Sequence, residues 1–132
     1  MSLYVQPEVS VSLDVIPAAV RAEKEALDAS HMIRNVRVVA ANVAGLWDSM
    51  YQEERRWVVR YFIEYEAKTG GGWTPYDLYN MRGGAYISEQ RWERRQMYVD
   101  VRATQQQIDA FLAEEERVNA PGSPERIELE AR

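Results

Sequence analysis

The chain has 132 residues, 46% hydrophobic and 28% charged, with a formal net charge of −5, which suits one globular domain with one core. No apolar run approaches the ~20 residues of a membrane helix, so a soluble protein is expected, and the absence of cysteine excludes disulfides, thiolate nucleophiles and sulfur-based zinc sites. Only residues 82–102 are locally basic, with five basic against three acidic groups, too small an excess for general binding to a phosphate backbone.

The first residues show no basic region followed by an apolar one, so the expected setting is cytoplasmic or within a virus particle rather than secreted. From Leu3 the odd positions Leu3, Val5, Val9, Val11, Leu13 and Val15 alternate with mostly polar residues, a period-two strand signal. Pro7 cannot donate to a ladder, and a lone strand needs a partner for its amides and cover for its apolar side. Residues 1–16 therefore read as an extended arm. Those six residues are its candidate assembly contacts, to be completed by the tail at 126–130 or by strand addition to a neighbouring subunit.

Pro17 suits the first turn of a helix. Ala19, Ala22, Ala26, Ala29, Ile33, Val36, Ala40, Val43 and Trp47 then recur at alternating steps of three and four, a seven-residue repeat that predicts one long helix. Residues 36–39 are rich in β-branched side chains, yet Ala40, Ala41 and Ala44 are good helix formers.

Residues 49–68 predict a second, buried helix. Ser49 and Gln52 have capping-box spacing, and Glu53, Arg56, Arg60, Glu64 and Lys68 form a single polar stripe in an otherwise apolar segment. Gly70, Gly71 and Gly72 would end it. The phosphate-loop ending Gly-Lys-Ser/Thr is missing there. Thr74, Pro75 and Asp77 mark a short helix to about residue 81, and Ser88 begins a last long helix to about residue 118, with Tyr98, Val101, Ile108 and Leu112 in its seam and Gln105 interrupting it. Residues 120–124 are a linker and the tail to residue 132 is charged.

Chemistry is poorly signalled. His31 is the lone histidine, which rules out the paired Glu-x-x-His sites of metal-binding bundles, and the neighbouring glutamates at 114–116 point in different directions on a helix. No catalytic residue, cofactor or metal is assigned, and no enzyme is expected. No family is recognised from these motifs.

The expected fold is mainly α: an antiparallel helical bundle with two long helices over 17–119, an extended N-terminal β-arm and a short charged C-terminal tail over 120–132. Fourteen arginines to two lysines, with four Trp and eight Tyr, match the composition enriched at protein interfaces. The expected function is a non-catalytic structural or assembly subunit in a homo-oligomer or larger particle. Small helical subunits with reaching arms occur in tailed phages as head-to-tail connectors or capsid-associated proteins, an analogy of construction alone. One alternative is a helix-turn-helix at 74–95 with Arg91, Arg94 and Arg95 on DNA; another is an acidic inhibitor using the Glu-rich C-terminal region. The partners expected are self or neighbouring protein subunits, with nucleic acid second and no membrane.

Overall fold

The computed structural model describes residues 3–47, 54–73 and 86–132, with 71–73 and 86–89 described in backbone only. The elements are α1 (Ala18–Asp28), β1 (Ile33–Leu46), β2 (Arg56–Trp73), β3 (Tyr86–Arg102), α2 (Gln105–Asn119) and α3 (Pro124–Glu130). The strands form one antiparallel sheet in the order β1-β2-β3. This corrects the expected mainly α bundle: each predicted long helix overlaps a strand.

The reasons lie in the residues. Arg56, Arg60, Glu64 and Lys68 are spaced by four, which keeps them on one side of a helix and equally on one face of a strand. Trp57, Val58, Val59, Tyr61, Phe62 and Ile63 between them are aromatic or β-branched and suit a pleated surface. In β1 the core-facing residues are Val36, Val38, Ala41 and Val43. Register shifts between Arg34 and Arg37 and between Val38 and Ala40 break the strict two-residue alternation, so these core-facing residues recur at steps of two, three and two. Asn35, at φ 54°, takes the left-handed conformation that asparagine tolerates at such a bulge. The proposed last helix divides at Thr104, whose hydroxyl accepts from the Gln107 amide while the Gln107 side chain accepts from the Thr104 amide, a capping box that starts α2. Gln105 does not interrupt a seam; it opens the helix. The glycines end no helix, since β2 continues through them to Trp73, with Gly70 at φ 84° beside another register shift. The Ser49/Gln52 cap and the short helix at 74–81 lie outside the described residues.

One face of the sheet carries the core. Val59, Tyr61 and Ile63 of β2 stand beside Ala41 and Val43 of β1, and Val20 of α1 and Phe111 of α2 close over them. Trp57 meets the Phe111 ring edge-on at 5.2 Å. The N-terminal arm belongs to the same core. Val9, Val11, Leu13 and Ile16 pack against it, and two backbone bonds, Val11 N to Ala41 O at 2.8 Å and Val43 N to Val9 O at 2.9 Å, join the arm to the outer edge of β1. Farther back, Asn119 of α2 accepts from the Val5 amide at 2.7 Å and donates to the Val5 carbonyl at 2.9 Å. Tyr4 donates to Glu115, which Arg55 also reaches at 2.8 Å. The arm thus pairs within its own chain, on β1 and α2. The tail is helical as α3, capped by Ser123 with Pro124 in the first turn.

Candidate interaction surface

Alternation along β2 divides its side chains. Odd residues face the core; even residues face the other side, where no helix lies among the described residues. On this bare face, cross-strand pairing aligns Arg34 with Glu66, Arg37 with Glu64, Asn42 with Arg60, and Arg60 with Asp100. The result is a ladder of charge pairs. Arg60 grips Asp100 with two bonds of 2.8 and 3.0 Å, the planar two-point geometry that makes such pairs strong. That contact with Asp100 leads the effects holding the Arg60 guanidinium above its usual range. Arg34 and Asn35 both reach Glu66, at 2.9 and 3.0 Å. The Asn35 and then the Arg34 hydrogen bond hold its carboxyl below the ordinary glutamate value. Arg37 and Arg94 share Glu64, each at 3.3 Å.

Aromatic rings fill the remaining places. The Arg60 guanidinium lies 3.9 Å from the Tyr98 ring centre, and Arg34 lies 4.2 Å from that of Trp92; Phe62 meets Tyr98 edge-on at 6.5 Å. Arginine therefore occupies one side of two rings that a nucleobase would need for stacking. A cleft of about 380 Å³ beside Arg37, Glu64 and Arg94 and one of about 720 Å³ beside Arg55, Arg102 and Asp100 are both walled by charge. Such walls favour polar contacts over an apolar ligand.

The edge of the sheet is the second feature. The Ala103 amide donates to the Trp57 carbonyl at 3.2 Å, and those residues are directly opposed. From there the antiparallel pattern alternates: odd residues of β3 bond to β2, and the backbone groups of Gln90, Trp92, Arg94, Gln96, Tyr98, Asp100 and Arg102 point outward. Among the described residues no strand pairs with that edge. The pairing with β2 runs without irregularity from Gln90 to Arg102, and this stretch contains no proline.

The residues singled out from sequence are dispersed. Val9, Val11 and Leu13 are half-buried in their own chain and Val5 is tied to Asn119, whereas Leu3 is 45% and Val15 80% exposed. Arg91, Arg94 and Arg95 lie on β3, so the helix-turn-helix expected at 74–95 is corrected for residues 86–95; residues 74–85 lie outside the described part. Arg94 stands on the bare face, and Arg91 and Arg95 on the opposite one, where Arg95 meets Glu93 at 3.2 Å. Within the Glu-rich end, Glu114 and Glu125 both bind Arg117 and Glu130 binds Arg126. His31 is exposed in the turn after α1, and among the described residues no group of three or more His, Asp or Glu converges as a metal site would require. No described helix is long and apolar enough to cross a membrane. The free edge was missed because residues 88–102 were read with the helical period, although Trp92, Tyr98, Val99 and Val101 carry a strand-forming signal.

No family model, no curated protein and no solved structure matches this chain. The analogy with phage connector subunits rested on a helical bundle with a reaching arm. With a sheet in place of the bundle and the arm folded home, it has no remaining basis.

Proposed function

We propose that this is a non-catalytic cytoplasmic protein that works through protein–protein contacts, associating with further copies of itself by way of the β3 edge. The observation that supports this reading is the regular, proline-free run of outward backbone groups from Gln90 to Arg102. A long regular edge without a bulge is a template for another strand, and proteins that remain monomeric commonly blunt such edges. The bare face contributes a polar rim of paired charges and arginine-backed aromatics, the residue types enriched where proteins meet. A nucleic-acid reading has less support, because Arg34, Arg37, Arg60 and Arg94 of the bare face already hold carboxylates.

Light scattering over a range of concentrations, on the full chain and on Gln96→Pro, tests the reading. Residue 96 has its amide on the outward side, so proline removes a donor from the free edge and none from the β2 ladder. The expected outcome is a concentration-dependent oligomer for the parent and a folded monomer, checked by circular dichroism, for the variant. A parent that stays monomeric at every concentration overturns self-association.

A further inference from the structure

Resting on that reading, we infer that the partner edge is β3 of one second copy, paired antiparallel about a two-fold axis at Met97. Outward bonding is confined to even-numbered residues, so only registers that set even residues against even residues complete the ladder. Below Gln90 the register shift opposite Gly70–Gly72 interrupts the edge, so a long pairing must fall within residues 90–102. Centring on Arg95 places that arginine against itself. Centring on Tyr98 puts Arg94 against Arg102 twice, and like charges in direct opposition destabilise a sheet. Centring on Gln96 avoids repulsion but forms no opposite-charge pair.

Centring on Met97 differs from all three. Arg94 then faces Asp100 of the second copy and, by symmetry, Asp100 faces its Arg94. Trp92 faces Arg102, a cation beside an indole, and Gln96 faces Tyr98. Arg94 is 76% exposed at its side chain and Tyr98 is 54% exposed, so both are accessible to a second copy. The two-fold axis is perpendicular to the sheet, so two three-stranded sheets become one continuous sheet with the described helices that cover the core on the same side. The contact uses the same surface on both copies, so it closes at a dimer instead of growing into a filament.

The chain has no cysteine, which makes disulfide mapping unambiguous. Single variants Arg95→Cys, Gln96→Cys and Met97→Cys are oxidised mildly in the associated protein. At the axis the two Cα atoms of residue 97 lie about 4.5 Å apart in a non-hydrogen-bonded pair, within disulfide reach. Residue 95 and its counterpart lie about 13 Å apart and cannot join. The expected result is cross-linking by Met97→Cys alone. An equal mixture of Arg95→Cys and Val99→Cys chains should cross-link heterotypically, which covers failure of the Met97 variant to fold. Arg94→Glu should raise the dissociation constant roughly tenfold or more. Association with cross-links only at residue 95 or 96, or at none of these positions, overturns this register and leaves the proposed function standing. A chain that never associates overturns both.

Discussion

Phe111 is the side chain on which two secondary elements depend. It is 1% exposed, receives the edge of Trp57 at 5.2 Å and has the Arg55 guanidinium 6.0 Å from its ring centre. Removing it leaves a cavity that neighbouring strands cannot close, because their positions are fixed by the sheet. Phe111→Ala is therefore expected to lower unfolding free energy by about 3–5 kcal/mol, measured by urea titration. A loss under about 1 kcal/mol would mean that α2 does not depend on this contact. Gly45 is constrained in a different way. A Cβ there would stand 2.8 Å from both Arg55 and Trp57, so a small residue at this point leaves room for the cluster beneath α2.

At the scale of elements, the arm is structural. Val9, Val11, Leu13 and Ile16 half-bury against the core, a contribution of roughly 3–6 kcal/mol at about half the value of full burial for each, comparable to the net stability of many domains. Deleting residues 1–16 should therefore abolish the cooperative unfolding transition or sharply lower its urea midpoint. A truncated chain with an unchanged midpoint would show that the arm is dispensable to the fold. Its alternating pattern was legible in sequence, and so was the helix after Pro17, which ends as α1 at Asp28. What stayed hidden was the switch from helix to strand within a single periodic pattern. Charged residues four apart in β2 satisfy both periods, and the bulges of β1 erase the two-residue repeat there. Thr104 and Gln107 did carry a local sign of the α2 start, in the spacing of a capping box, and the β-branched run at 36–39 carried the sign of β1. The candidate surface was legible only in composition, as an excess of arginine and aromatics. Which of those residues share a face follows from cross-strand register, and that pairing depends on residues far apart in the chain.

For the whole molecule, acid is the revealing variable. Glu66 is held below the ordinary glutamate value by Asn35 and then Arg34, and Glu114 and Glu125 chiefly by Arg117. At Glu115 burial pushes upward, but the Tyr4 and Arg55 contacts outweigh it. A carboxyl with a depressed folded pKa adds stability that is fully present above its unfolded value, near 4.5, and is lost as pH falls through the folded value. Thermal midpoints should therefore stay nearly level from pH 7 to about 5 and drop steeply below about 4.5. A midpoint that rises on acidification through that window would contradict the direction of these shifts. The loss has a location as well. Glu115 joins Tyr4 of the arm and Arg55, the residue before β2, to α2, so protonation there loosens the seam between the two ends of the described chain.

That seam has a kinetic consequence. Val5 and Asn119 are 114 positions apart, whereas β2 and β3 are neighbours along the chain. Long-range closure is slow to repay its loop entropy, so the hairpin is expected to form early and the arm to close late. During synthesis Val5 leaves the ribosome long before the residue that holds it. Until α2 emerges, the apolar positions of the arm lack the cover that Phe111 gives the shared core and Val5 lacks Asn119, and this is the interval in which a chaperone would be most useful.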